Sequence, residues 1–326
     1  MALPRSQGLL AAALCGFAQL ASAQAQAPAW PTKTLTIVVP FPAGGTTDVL
    51  ARAVSTKLAT ALGKPVIVDN KPGAGATLGA LLVAKAPADG HTLLMGAVHH
   101  TVAPSVYKNL QYSFEKDFAP ISTVALVPNV LVVSAKAPYG SVKDLIATGK
   151  AAPEKLSYGS NGNGTAQHMI GTQFQMETGA KVLHVAYKGS APLTTDLLGG
   201  QIDMSFDTIT PVLPFIKDGK LKALAVTTAK RSSALPNVPT LQEMGVPHIA
   251  IGTWFGLLAP AATPKGVVAQ LNAEVVRIVH SPEFKKQMLD IGAEPIGNRP
   301  EEMAAQIKEE TEKFAHLVKV GKVTLD

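Results

Sequence analysis

The chain has 326 residues, 47% of them hydrophobic and 16% charged, enough apolar material for two compact domains and too much for a disordered chain. Its 28 glycines and 24 prolines follow no repeating triplet and aromatics make up only 5%, which excludes a collagenous chain and leaves few stacking platforms for single-stranded nucleic acid. The net charge of +6 is spread: Arg52, Arg231, Arg277 and Arg299 each stand alone, whereas readers of a phosphate backbone cluster their basic residues, so no nucleic-acid partner is expected.

Residues 1–23 read as a secretory signal peptide. Arg5 precedes an apolar run over 9–20, and Ala21-Ser22-Ala23 puts small residues at both recognition positions, so the mature chain is expected to begin at Gln24. Gly16 and Gln19 interrupt the run, which is too short to span a bilayer. The single cysteine, Cys15, falls inside it, so the mature protein is expected to hold neither a disulfide nor a cysteine-ligated metal.

From Trp30 onward, short β-branched runs alternate with longer amphipathic segments, the pattern of an α/β fold with a largely parallel sheet. Strands are predicted over 34–39, 66–69, 92–95, 130–133, 182–185, 202–206 and 224–227. A helix is predicted over 47–62, where Val49, Leu50, Ala53, Val54 and Leu58 recur at spacings of three and four. Near the end, 264–280, 282–291 and 300–318 read as three helices, each opened by a proline, that form a closing cap. No long linker separates the halves. Two domains would therefore be joined by strand-like crossings near 124–128 and 252–257, giving 24–126 with 254–326 as one domain and 127–253 as the other.

Two loops carry the strongest chemical signal. The strand at 34–39 runs into Pro40-Phe41-Pro42-Ala43-Gly44-Gly45-Thr46-Thr47-Asp48 and then a helix, so backbone amides and the positive end of the helix dipole face the loop. Such a loop is a candidate anion nest, or else a threonine-capped turn. A second strand-loop-helix, Gly159-Ser160-Asn161-Gly162-Asn163-Gly164-Thr165 before a helix over 166–176, has the same construction, as two jaws around one anion would.

Other readings are weaker. In Asn70-Lys71-Pro72-Gly73-Ala74-Gly75-Ala76-Thr77-Leu78-Gly79 the last glycine arrives one residue late for a dinucleotide fingerprint, and no Gly-Lys pair is followed by the Ser or Thr of a phosphate-binding P-loop. Ser160, His168 and Asp207 supply the residue types of a hydrolase triad, but the Gly-x-Ser-x-Gly elbow is missing. No two histidines are spaced i, i+4, and His99 and His100 would point to opposite faces of an extended segment, so no metal site is expected. Lys188, after a strand and before a helix, is placed to reach an anion, and Asp207, at a strand end, to accept from a ligand or cap a loop.

Taken in order, the loop 40–48, the run 70–79, and segments 158–168, 187–190 and 197–207, with Leu235-Pro236-Asn237-Val238-Pro239-Thr240 and Trp254-Phe255-Gly256-Leu257, resemble one family across nearly the whole mature chain. It is the tripartite tricarboxylate transporter substrate-binding family, the Bug-type solute receptors. The resemblance implies an α/β periplasmic-binding-protein-like Venus flytrap, two α/β domains with a ligand cleft between them. A non-enzymatic, monomeric periplasmic receptor is then expected, holding a di-, tri- or aromatic carboxylate without cofactor and delivering it to a membrane permease. The family's first-domain contacts match Phe41, Gly44, Gly45, Thr47 and Asp48, with Gly75 counted beside them. Its second-domain contacts match Ser160, Gly164, Thr165 and His168, with Tyr187, Lys188 and Asp207 as neighbours. The alternative is a secreted serine hydrolase using Ser160, His168 and Asp207.

Overall fold

The computed structural model describes residues 30–325, so the leader at 1–23, Cys15 and the expected new terminus at Gln24 lie outside the described residues. In chain order, β1 (Leu35–Val39), α1 (Thr46–Leu62), β2 (Val66–Asn70), a 3-10 turn (Ala74–Ala76), α2 (Thr77–Ala84), β3 (Thr92–Ala97), α3 (His99–Val106) and the long β4 (Phe118–Ser134) come first. They are followed by α4 (Val142–Ala151), β5 (Leu156–Ser160), α5 (Ala166–Thr178), β6 (Val182–Ala186), α6 (Ser190–Gly199), β7 (Met204–Thr208), α7 (Ile209–Lys217) and β8 (Leu221–Val226). β9 (Gly252–Pro260), α8 (Lys265–His280), α9 (Pro282–Asp290), the two-residue β10 (Glu294–Pro295) and α10 (Pro300–Val320) complete the chain.

β1 is β-branched and almost wholly buried, as a strand covered on both faces must be, and it pairs in parallel with β2 and β3, Leu35 opposite Val66 and Thr36 opposite Thr92. The second lobe repeats the arrangement, with β5 parallel to β6 and β7. What joins them is β4. Its first part runs antiparallel to β9, from Phe118 opposite Pro260 to Pro128 opposite Gly252, and its last part lies antiparallel to β7 and β8, beginning with Asn129 opposite Thr208. The change of partner falls at Pro128, which has no N–H to give to a ladder.

The expected largely parallel sheet is thus corrected to a mixed one, because the two strands that cross between lobes run in opposite directions and must pair antiparallel. The strand expected over 130–133 is the tail of β4, and the one expected over 202–206 runs on through Asp207 and Thr208. His99 and His100 also depart from expectation. They open α3 instead of lying extended, since the His100 Nδ1 meets the Ala97 backbone at about 3 Å and its ring stacks on Phe114 at 4.9 Å, turning the chain out of β3.

Packing follows the same division. Leu35, Ile37 and Val39 meet Leu50, Val54 and Leu58 of α1 and Leu271 and Val275 of α8, all fully buried, each contributing roughly 1.5–3 kcal/mol. Leu131 and Val133 of β4 pack with Phe206, Met169 and Phe174 in the second lobe. α10 lies against α3 and β4, and Phe314 and Val318 join the buried cluster that runs into that lobe. At the crossing, fully buried Asn129 donates to Thr253 Oγ1 at 3.0 Å and accepts from Gln167 Nε2 at 3.1 Å, so side chains of both crossing strands and of α5 are tied at one point.

Candidate functional site

The cleft between the lobes holds two connected chambers. The inner one, about 20 Å³, is walled by Thr46, Thr47, His99, Asn161, Gln167, Ser190 and Thr208, with Phe41 and Phe255 as its apolar sides. The outer one, about 390 Å³, is lined by Pro40, Phe41, Pro42, Pro72, the turn Ala74–Ala76, Tyr187 and Lys188. Phe41, Pro42, Asn161 and Gly189 face both.

The inner chamber is polar because strands end there and helices begin there. Gly44 takes a φ of +87°, a conformation that favours glycine, which swings the loop so that α1 starts at the chamber wall. The first bond of that helix runs from the Val49 amide to the Gly45 carbonyl, leaving the amides of Thr46, Thr47 and Asp48 without intrahelical acceptors. His99 is the first residue of α3, Gln167 the second of α5, Ser190 the first of α6, and Thr208 caps α7. Helix N-termini from both lobes therefore point their positive ends at one small space, which among the described residues no Asp or Glu side chain lines. Asn161 Oδ1 and Gln167 Oε1 are buried there without a partner, and an acceptor so placed is suited to a bridging water.

Behind this wall sits Asp207, fully buried. Its Oδ1 accepts from Asn161 Nδ2 at 2.8 Å, Ser190 Oγ at 3.3 Å, and the Thr208 amide at 2.8 Å and hydroxyl at 3.4 Å, while Oδ2 has no partner among the described residues. Burial pushes its pKa up to about 6 despite these bonds. It fixes the rotamers of three chamber residues and does not line the chamber itself. Asp48 does the same for the first loop: its carboxylate takes the Gly44 amide, Arg52 and Asn70 Nδ2, each at about 3 Å, and Asn70 also holds the Phe41 carbonyl. Burial alone would raise the Asp48 pKa, but these bonds outweigh it and hold it below the usual range.

Of the residues singled out in the sequence, Phe41, Gly45 and Thr47 line the inner chamber and Gly75, Tyr187 and Lys188 the outer. Lys188 is exposed and forms no ion pair among the described residues, and the Tyr187 hydroxyl donates to Asp196 at 2.8 Å. Gly44, Asp48, Ser160, Gly164, Thr165, His168 and Asp207 line neither chamber and instead hold the loops. Thr165 caps α5 and donates to the Gly162 carbonyl at 2.7 Å, and a Cβ at Gly164 would meet Val106, the last residue of α3, at 3.0 Å and the Tyr107 ring at 3.3 Å.

The hydrolase constellation is not assembled. Ser160 Oγ lies 2.7 Å from His184 Nε2, His168 accepts the Gly164 amide at Nδ1 and stacks on His184 at 4.1 Å, and Asp207 serves Asn161, Ser190 and Thr208. Burial lowers the pKa of His168 to about 4 and that of His184 to about 3, so both rings are neutral packing units. Sequence reading put His99 in the cleft without assigning it a contact, and it missed Thr46, Asn161, Gln167, Ser190 and Thr208 as chamber residues. Their shared signal is position, within two residues of the end of a strand or the start of a helix.

A sequence profile described as "Tripartite tricarboxylate transporter family receptor" matches residues 50–322. Protein BugT of Bordetella pertussis is 35% identical over 300 residues, covering 91% of this chain and 92% of BugT. The solved structure of R. palustris Rpa4515 with adipate superposes with a TM-score of 0.88 at 36% identity, covering 91% of this chain and all of that one. MatC from Rhodopseudomonas palustris with bound malate gives a TM-score of 0.84 at 32% identity, over 88% of this chain and 99% of that one. Two lobes around a cleft, a profile match over most of the length and relatives of equal extent lead to one conclusion: the chain belongs to the tripartite tricarboxylate transporter receptor family, whose two-lobed periplasmic-binding-protein fold it shares.

Proposed function

We propose that the chain, exported by its leader, is a periplasmic receptor that captures a small carboxylate between its lobes and passes it, unchanged, to the membrane permease of a tripartite transporter. The observation that carries this reading is the convergence of helix N-termini from both lobes on an inner chamber lined by hydroxyl and amide groups and no carboxylate. A carboxylate head fits that space, held by backbone amides, hydroxyls and water instead of a guanidinium. The ligand's body would fill the outer chamber, whose proline, alanine and phenylalanine walls suit a methylene spacer, with exposed Lys188 at hand for a second carboxylate. The adipate in Rpa4515 and the malate in MatC support a dicarboxylate.

On this reading the moving units are 24–126 with 254–326 and 127–253, turning about Pro128 and Gly252, and the protein acts as a monomer without cofactor. Thermal denaturation with adipate, malate, benzoate and acetate tests it. A ligand bound only by the folded state adds about 2.7 kcal/mol at one hundred times its Kd. The expected order places adipate first and acetate, which leaves the outer chamber empty, last. No shift with any carboxylate would overturn the reading.

A further inference from the structure

His99 stands where the two lobes and the inner chamber meet. Its ring is 3% exposed, lies edge-on to Phe41 at 5.2 Å between ring centres, and lines the inner chamber. Its Nδ1 lies 2.9 Å from the Ala166 amide, the first of α5 in the other lobe, and accepts its hydrogen. Burial, with the neighbouring His100, drives the pKa down to about 3, so the ring is neutral. With Nδ1 an acceptor, the proton must sit on Nε2. That Nε2–H has no partner among the described residues, and it is the one polar atom the ring has left for the chamber.

We propose that His99 couples ligand capture to closure: Nδ1 latches the α5 amide across the cleft, and the tautomer this enforces presents Nε2–H to a carboxylate oxygen in the inner chamber. The two halves of the ring then serve two lobes through one side chain. An open cleft would leave the Ala166 amide to water and free the ring to choose either tautomer, so the donor is set as the lobes meet. A second bridge leaves the residue just after α3: the Tyr107 hydroxyl donates to the Asn163 carbonyl of the second-lobe loop at 3.1 Å. The ligand half of this proposal rests on the receptor reading. The latch half does not.

Two substitutions separate the halves. His99→Asn keeps an acceptor near the Nδ1 position and loses the Nε2 donor, whereas His99→Gln keeps a donor near Nε2 and loses the Nδ1 acceptor. Circular dichroism and melting points first confirm that both variants fold. Amide hydrogen exchange with each protein saturated with adipate is expected to show Ala166 protected about tenfold more in wild type and His99→Asn than in His99→Gln. Titration calorimetry with adipate is expected to show about tenfold weaker binding in both variants. Equal exchange at Ala166 in wild type and His99→Gln would overturn the latch, and wild-type affinity in His99→Asn would overturn the donor role. If wild type binds no carboxylate, the receptor reading and the donor role fall together, whereas equal exchange at Ala166 in the ligand-bound proteins strikes the latch alone.

Discussion

The side-chain hydroxyls of Thr46 and Thr208 meet at 2.7 Å across the cleft, 162 residues apart in sequence and both buried. One opens α1 in the first lobe and the other caps α7 in the second. Each hydroxyl has a single hydrogen, so when Thr208 donates to Thr46 and not to Asp207 Oδ1, 3.4 Å away, Thr46 keeps its hydrogen for a ligand oxygen. Thr46→Val and Thr208→Val should each weaken adipate binding by about three- to tenfold, and the double variant should lose less than the product of the two. Calorimetry of all four proteins checks this, and strictly multiplicative losses would show that the hydroxyls act independently.

Asp207 should make binding depend on pH. Its carboxyl, raised to about 6 by burial, sits directly behind Asn161 and Ser190, and an anionic head in front of them raises it further. Binding then takes up a proton, so affinity should rise as pH falls from 8 through 6. Asp207→Asn should flatten this dependence. Calorimetry in buffers of differing ionisation enthalpy measures the proton uptake, and none at pH 7 would refute the coupling.

Gly75, on the wall of the outer chamber, tests closure at a second contact between the lobes. Its φ is +58°, and a Cβ there would lie 2.2 Å from the Tyr107 hydroxyl and 2.6 Å from the Asn163 carbonyl, atoms of opposite lobes. Gly75→Ala should therefore weaken ligand binding by more than tenfold while shifting the ligand-free melting point by only a few degrees. A loss of melting temperature with affinity intact would reverse the assignment.

Glu310 concerns stability. It is half-buried beside Trp254 of β9, with its Oε2 accepting from Trp254 Nε1 at 2.7 Å, and its partial desolvation pushes its pKa up to about 7 although Trp254 and Lys313 oppose the shift. The unfolded group titrates near its ordinary 4.5, so between that pH and 7 only the folded state holds the proton. Stability should fall as pH rises through this window and stay low above it. Glu310→Gln, which keeps an acceptor for Trp254, should match wild type at pH 4.5 and exceed it at pH 8 by about 1–3 kcal/mol in chemical denaturation.

The fold was legible where local pattern and burial agree. The β-branched run at β1, the glycines after it and the threonines opening α1 all point to one strand-loop-helix, and the structure places them so. The mixed sheet was not legible, because pairing direction is set by partners more than one hundred residues away, as with Phe118 and Pro260. At the site, residue type misled. Asp48, Asp207 and His168 carry the recognisable chemistry yet serve as props, while Ser190, Thr208 and Asn161, common residues in loops, make the wall because three strands end beside one another. Gly45 illustrates the same limit. Its φ of −81° is open to any residue, and the strained position is its neighbour Gly44.

Small-angle scattering of the purified protein with and without saturating adipate decides whether the lobes close around a carboxylate. Adipate is expected to lower the radius of gyration to that of the closed lobes, with Thr46 against Thr208 and His99 against Ala166. An unchanged radius at saturation, with binding verified in the same sample, would contradict it.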